Sequence, residues 1–173
     1  MVEGEAMRVP ADALADAKAY LRVDGTGEDA AIAALVRAAA AACEAFGGVT
    51  LLTRSFEETV DANGAWVRLA RTPVREIAGV VDAGGAALPT SAFSTDVDAN
   101  GDGWVRLYVR AARVRVRYRA GLAESWGDLP APLTGGVVRL AAHLWAGREG
   151  AGDGPPPAAV TALWRPYRRM RLR

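Results

Sequence analysis

LPAPLTGGVVRLAAHLWAGREGAGDGPPPAAVTALWRPYRRMRLR, residues 129 to 173, is the stretch that decides the architecture of this chain. Apolar residues recur every three or four positions between Pro132 and Arg148, and this period predicts a helix. A Gly/Asp spacer and three prolines, Pro155 to Pro157, separate it from a second predicted helix. The apolar side of that second helix comprises Val160, Leu163, Trp164 and Tyr167. Two helices separated by a rigid proline segment and followed by a basic end favour a surface that binds a partner protein over an active site.

The first 48 residues predict two further helices. Pro10 stands where a helix can begin, and the apolar spacing that follows predicts a helix over residues 11 to 22. A second helix follows Thr26 and ends at Gly47-Gly48. Its apolar stripe comprises Ile32, Leu35, Val36, Ala39, Cys43 and Phe46. The opposite side is mostly alanine, which indicates a helix packed between neighbours and hints at contacts between subunits.

Between these helical parts the period changes to about two, which predicts β-strands. The expected strands are 50–60, 65–71, 74–82, 103–109 and 112–118. Asn63-Gly64, Gly84-Gly85 and Asn100-Gly101 have the chemistry of chain reversals, so an antiparallel meander or small sandwich is expected. The predicted fold class is α+β. It is a single domain with a body of about four helices (10–48 and 129–168), an inserted antiparallel β-subdomain (50–119) and a basic tail (165–173).

The length and charge of the chain limit the classes of function that it can have. A chain of 173 residues can bury roughly 70% of its unfolded surface. Its formal charge of +1 argues against a general nucleic-acid binder, which needs a basic excess. From Trp126 onward, however, seven arginines face three acids, an excess of four positive charges at one end.

Metal, cofactor and catalytic sites are not expected. Cys43 is the single cysteine and His143 the single histidine, which excludes disulfides, Cys/His zinc sites and catalytic pairs other than one built on His143. That histidine lies beside Leu144 and Trp145 and is interpreted as a packing residue, although a hydrolase using it with Glu149 remains an alternative. We predict no enzyme, no cofactor and no membrane segment, and synthesis in a bacterial cytoplasm.

The segment Asp98 to Gly103 matches the first half of a calcium-binding EF-hand loop. Oxygen-bearing residues stand at its first, third and fifth positions, and glycine at its sixth. The twelfth position is Val109 instead of a bidentate glutamate, and the flanking residues predict strands instead of helices. A polar hairpin turn is therefore expected. Glu57 and Glu58 are adjacent on a predicted strand and point to opposite faces, so they cannot act together on one substrate.

Alternating arginines mark one predicted strand face. These residues are Arg113, Arg115, Arg117 and Arg119. They belong to an ordinary solvated face paired with acids of the next strand, or to a face that meets an acidic partner or a channel.

The C-terminal tail interleaves arginines with aromatic and apolar residues, a composition that interfaces favour. A solvated terminus and a DNA-phosphate contact are alternatives, but a tail that is ordered by binding an acidic or grooved protein surface is preferred. The residues expected to bind are Trp164, Arg165, Tyr167, Arg168, Arg169, Met170, Arg171, Leu172 and Arg173.

Three stretches, in this order, resemble the head-tail connector, or adaptor, proteins of tailed bacteriophages and gene transfer agents. The first is YLRVDGTGEDAAIAALVRAAAAACEAFGG (Tyr20 to Gly48), the second LPAPLTGGVVRLAAHLWAGRE (Leu129 to Glu149) and the third PPPAAVTALWRPYR (Pro155 to Arg168). Together they cover about half of the chain. The β-region from Thr50 to Tyr118 is larger than in minimal helical members of the family.

The resemblance implies a structural protein of the virion or phage-like particle. It implies a ring of identical subunits, twelve in the particle, that lies under the portal protein at the capsid vertex. This ring would continue the DNA channel and offer a platform to a downstream neck, stopper or tail protein. In such rings the C-terminal segment reaches the portal, a role that falls here on Trp164 to Arg173. The rival interpretation is a small DNA-contacting module that uses the arginine-rich strand and the tail.

Overall fold

A computed structural model describes residues 2–108, 113–147 and 157–169. It divides the chain into two compact units, each made of two chain segments. The β-unit contains Met1–Ala6 and Leu52–Leu122, and the helical unit contains Met7–Leu51 and Ala123–Arg173. The described residues hold four α-helices and two antiparallel sheets, which confirms the predicted α+β class.

The helical unit contains α1 (Ala11–Leu21), α2 (Asp29–Gly47), α3 (Ala131–Ala146) and α4 (Ala158–Trp164), and a 3-10 turn (Arg165–Tyr167) follows α4. Three of these helices start directly after a proline, at Pro10, Pro130 and Pro157. Proline fits this position because it has no N–H group to leave unpaired. α2 ends at Gly48, whose φ of 66° lies in the left-handed region that glycine tolerates.

The interior of the helical unit is mainly apolar. α2 contributes Ile32 and Val36, and α3 contributes Leu133 and Val137, all 0–1% exposed. Two side-chain hydrogen bonds secure the ends of the elements. Trp126 Nε1–H donates to Asp16 Oδ2 (2.8 Å), and Leu51 N–H donates to the buried Glu44 Oε1 (2.8 Å).

Helix α2 is long and apolar enough to cross a membrane by length and composition, with a mean hydropathy of 1.5. About 33% of this stretch is buried within the structure. A buried core helix has the same composition, and α2 packs one face on α3 and α4. Its other face is an exposed row that includes Ala34, Ala38, Ala41 and Ala45.

The β-unit contains two sheets. The four-stranded sheet has the order β1-β2-β7-β4, with β1 (Val2–Gly4), β2 (Arg54–Asp61), β4 (Val74–Val81) and β7 (Arg113–Ala120). The three-stranded sheet has the order β3-β6-β5, with β3 (Trp66–Arg68), β5 (Phe93–Val97) and β6 (Gly103–Leu107). The sequence did not predict β1 or β5. The other strands overlap the expected segments, with ends shifted by up to four residues.

Both sheets contribute to one apolar cluster, so the β-unit is a small sandwich and not a flat meander. Phe56, Val116 and Tyr118 enter it from the four-stranded sheet, and Val105 and Leu107 from the three-stranded sheet. Alternation along the strands sends every second residue into this cluster and the residues between them outward. The turn glycines Gly64, Gly85 and Gly101 all have positive φ, as the sequence predicted for chain reversals.

Candidate interaction surfaces

The four arginines of β7 lie on the outer face of the four-stranded sheet, since Val114, Val116, Tyr118 and Ala120 fill the buried face. Glu57 on the neighbouring strand β2 binds two of them. Its Oε1 accepts from Arg115 Nη1 (2.7 Å) and its Oε2 from Arg117 Nε (2.8 Å). Arg113 Nε lies 3.5 Å from Asp61 Oδ1, where both side chains are largely exposed.

These contacts are those of a solvated face paired with acids of the next strand. The hydrogen bond from Arg117 and the nearby charge of Arg115 lower the pKa of the Glu57 carboxyl below its usual value. A carboxyl whose pKa is lowered by folding stabilises the folded state at every pH above its ordinary pKa. This stabilisation is lost as the pH falls through the lowered pKa. Because Glu57 and its partners are partly exposed, the effect on stability is small.

A shallow groove of about 570 Å³ runs beside these arginines on the same unit. Its lining carries acids as well as Arg117 and Arg119, since Glu3 and Glu5 of the N-terminal segment border it. Glu3 pairs with Glu57 across β1 and β2. The face therefore carries mixed charge, and its expected role as a channel or partner face stays a prediction.

The expected portal-binding residues divide into three groups. Trp164 is 3% exposed and belongs to the core of the helical unit. The next four described members follow α4, with Arg165 and Arg168 exposed and Tyr167 and Arg169 half-buried. The remaining four, Met170, Arg171, Leu172 and Arg173, lie outside the described residues.

The segment after α4 folds back onto the end of α2. Arg169 N–H donates to the carbonyl of Gly47 (2.8 Å), and the Arg168 guanidinium lies 5.7 Å from the centroid of the Phe46 ring. Phe46 also packs against Trp164, with ring centroids 6.0 Å apart. Residues 165–169 of the predicted tail are thus part of the folded helical unit.

The loop from Asp98 to Gly103 is a hydrogen-bonded turn. Asp98 Oδ1 accepts from the N–H groups of Asn100 (2.9 Å) and Asp102 (3.0 Å), and its Oδ2 accepts from Trp104 Nε1–H (3.2 Å). Asp102 Oδ1 accepts a hydrogen bond from the Thr72 hydroxyl (3.0 Å). Among the described residues no group of three His, Cys, Asp or Glu side chains could hold a metal ion. The polar turn predicted for this loop agrees with these contacts.

Cys43 and His143, the two candidates for nucleophilic chemistry, lie on helices of the helical unit. Burial raises the pKa of the Cys43 thiol to about 12, with the charge of Glu44 adding to the effect. A thiol with so high a pKa is neutral at physiological pH and a poor nucleophile. His143 is half-buried on α3 beside Leu144 and Trp145.

The outer face of the three-stranded sheet was not singled out by the sequence analysis. It carries Trp66, Trp104 and Tyr108 together with two arginines, and Trp66 and Tyr108 are 45% and 55% exposed. Aromatic and arginine residues at alternate positions of short strands are the signal that could have indicated it. The pairing of β5 with β6, which was not predicted, completes this surface.

Solved structures with the same fold come from gene transfer agent (GTA) particles. A chain in "Neck of empty GTA particle computed with C6 symmetry" has a TM-score of 0.77 and 27% identity, covering 99% of this chain and 97% of that chain. Chains of the native GTA virion and of the native GTA neck computed with C12 symmetry have TM-scores of 0.72 and 0.73, each at 28% identity and with the same coverage. No protein family matches the sequence, and no curated protein is significantly similar to it.

The resemblance to head-tail connectors of gene transfer agents is confirmed. The similarity spans helical and β-units alike, so the large β-region does not set the chain apart from these neighbours. It supports a structural component of the neck, located in the particle, and favours a structural role over an enzymatic one. The sixfold and twelvefold symmetries of the neighbouring necks support a ring of identical copies.

Proposed function

We propose that this chain is a head-tail adaptor of a gene-transfer-agent-like or phage-like particle. Identical copies form a ring under the portal protein, continue the DNA channel and present a platform to the next neck or tail protein. The observation that carries this proposal is the match over 99% of the chain to a neck protein, with a TM-score of 0.77.

Ring formation needs a surface that is buried between copies. The exposed alanine row of α2 suits this role, because small side chains let a neighbouring element approach closely and cost little side-chain entropy to bury. Arg37 is the one charged residue in the middle of that row.

Portal binding is assigned to the groups after Trp164. The Trp164 side chain itself fills the core, so the proposed contact comprises the exposed arginines after it and the residues beyond Arg169. An arginine-rich end is suited to an acidic portal surface, since guanidinium groups form paired hydrogen bonds with carboxylates. The anchor for this end is the bond between Arg169 and Gly47, which holds the chain on the helical unit.

The assembly test mixes the purified chain with portal rings of the same particle and follows mass and symmetry by mass photometry and negative-stain electron microscopy. We expect the mixture to contain a complex of one portal with one ring of this chain, with twelve copies in the complex. A chain that stays monomeric and does not co-sediment with portal would contradict the proposal.

The portal contact is tested with a deletion that starts after Arg169, so that the contacts of Arg168 and Arg169 with the helical unit stay in place. Removing residues 170–173 should leave the melting temperature unchanged and abolish portal capture in a pull-down. The matched control is Arg113→Ala, which removes an exposed arginine from the β-unit and should leave capture intact. Full capture by the deletion variant would show that residues 170–173 are not part of the portal contact.

A gel-shift titration at several salt concentrations distinguishes the adaptor role from the rival role as a DNA-contacting module. A DNA binder would lose affinity steeply as salt rises, because each neutralised phosphate releases a counterion. Two of the four strand arginines already share the carboxylate of Glu57, which leaves fewer cations for phosphates. We expect no shift at moderate salt.

A further inference from the structure

The outer face of the three-stranded sheet is a mixed aromatic and charged surface. Trp104 on β6 lies directly opposite Asp96 on β5 and Arg68 on β3. In the next row, Arg106 lies opposite Trp66 and Ser94. Trp66 and Trp104 are therefore diagonal neighbours, at a spacing that long aromatic side chains can bridge.

Between these side chains lies a groove of about 280 Å³ lined by Trp66, Trp104 and Asp96. One wall is fixed in place, because Trp104 Nε1–H donates to Asp98 Oδ2 (3.2 Å). Trp66 is 45% exposed and forms the accessible wall. The groove thus combines two indoles and one carboxylate on a strand-supported surface.

Among the described residues, no cation pairs with the Asp96 carboxylate. Arg68 Nη1 faces Asp102 Oδ2 (3.6 Å), and Arg106 Nε donates to the carbonyl of Gly64 (2.9 Å), with its guanidinium 5.6 Å from the Tyr108 ring centroid. Within the described part of the chain, no hydrogen bond or ion pair involves the side chain of Asp96. Both neighbouring arginines are engaged elsewhere, and the carboxylate is left unmatched beside two aromatic rings.

We propose that this groove binds a guanidinium group, the arginine side chain of a partner protein. The faces of tryptophan rings attract cations, and a planar guanidinium can stack on an indole while it forms hydrogen bonds with a carboxylate. An anion is repelled by Asp96. A purely apolar side chain would cover that carboxylate without giving it a partner, which is unfavourable.

A protein partner fits this surface better than a nucleic acid does. Single-stranded nucleic acids also stack on tryptophans, but their binding depends on a basic groove that follows the phosphates. Here the two arginines already have partners, and an unmatched carboxylate lies in the groove. The proposal does not depend on the proposed ring and portal contacts, because binding at this groove can be measured on the isolated chain.

The probe is N-acetyl-arginine amide, titrated into the ¹⁵N-labelled full chain while the tryptophan indole N–H signals are followed by NMR. N-acetyl-citrulline amide is the matched neutral probe, because it has the same shape without the charge. We expect the signals of Trp66 and Trp104 to shift saturably with the arginine probe, with a dissociation constant on the order of millimolar for so small a ligand. The buried Trp126 and Trp164 should not respond.

Two substitutions make the test specific. Asp96→Asn keeps the size of the side chain and should weaken binding of the arginine probe by roughly five- to tenfold. Glu76→Gln removes an exposed carboxylate from β4 in the other sheet and should leave binding unchanged. Circular dichroism and the backbone NMR spectrum confirm that both variants keep the fold.

Three results would overturn the proposal. The first is an absence of shifts at the two groove indoles, and the second is equal shifts with the citrulline probe or with the Asp96→Asn variant. The third is a stronger response to an oligothymidine than to the arginine probe, which would identify a nucleic-acid surface instead. None of these results bears on ring assembly with portal, which is measured separately.

Discussion

Gly136 decides how closely α4 can approach α3. A Cβ atom added at this position would overlap the indole of Trp164, which is 3% exposed. Within the described residues the Trp164 Nε1–H group has no hydrogen-bond partner, so packing alone fixes the ring. The neighbouring Gly135 has open space, with no atom within 4 Å of an added Cβ. Two adjacent glycines on one helix therefore have different physical roles.

Replacing Gly136 with alanine should destabilise the protein by about 1–2 kcal/mol, because the cost of overpacking exceeds the gain of about 1 kcal/mol in helix propensity. Gly135→Ala is the matched control and should raise stability by up to about 1 kcal/mol. Urea unfolding followed by circular dichroism measures both. Equal stabilisation by the two substitutions would mean that Trp164 does not pack on Gly136 in solution.

At the scale of elements, a buried hydrogen-bond network joins β2, β7 and the segment before β4. Tyr118 O–H donates to Glu58 Oε2 (2.8 Å), which also accepts from the N–H of Ala70 (2.8 Å). The N–H of Arg71 donates in turn to the Tyr118 hydroxyl oxygen (3.2 Å). Burial, with the charge of Glu58 adding to it, raises the pKa of the Tyr118 hydroxyl, so this group stays a donor at physiological pH.

Tyr118→Phe should lower the free energy of unfolding by about 1–3 kcal/mol, because the buried Glu58 carboxylate and the Arg71 N–H each lose a partner. Tyr108→Phe removes the hydroxyl of an exposed tyrosine in the same unit and should change stability by at most about 0.5 kcal/mol. Chemical denaturation of both variants provides the comparison. A Tyr118→Phe protein as stable as the parent would contradict the structural importance of this network.

At the scale of the whole molecule, the proposed ring should depend on α2. Ala38 lies in its exposed row, and a glutamate there would bring a longer, charged side chain into the proposed contact between copies, where its desolvation is costly. We expect Ala38→Glu to leave the monomer folded and to weaken portal-dependent ring assembly at least tenfold in mass photometry. Ala15→Glu, at an exposed alanine of α1, is the control for the added charge. Normal ring assembly by Ala38→Glu would place the interface elsewhere.

Much of the secondary structure could be predicted because it depends on local spacing. The prolines before α1, α3 and α4, the glycines after α2 and the turn at Gly64 act on their own neighbours in the chain. The spacing of apolar residues changes from a period of 3.6 to a period of two, and this change was sufficient to predict the α+β class. β1 was missed because it is three residues long and is held by hydrogen bonds to β2, a strand remote in sequence. β5 was missed because its five residues, paired in a local hairpin with β6, are too few to show a clear period of two.

The candidate surfaces were predicted less completely, because they depend on which strands pair. The sequence indicated that Arg113 to Arg119 share a face, but only the register of β2 against β7 brings Glu57 to Arg115 and Arg117. Composition assigned Trp164 to a docking tail, whereas packing against Gly136 and Phe46 places it in the core.

The sequence by itself determined the class of fold, the order of the elements and the resemblance to a connector protein, since periodicity and capping are properties of neighbouring residues. Tertiary structure decided the charge partners of the arginine strand, the packing of residues up to Arg169 on the helical unit and the groove between Trp66, Trp104 and Asp96. These features join residues that are distant along the chain, and their contacts exist only once the strands and helices have packed.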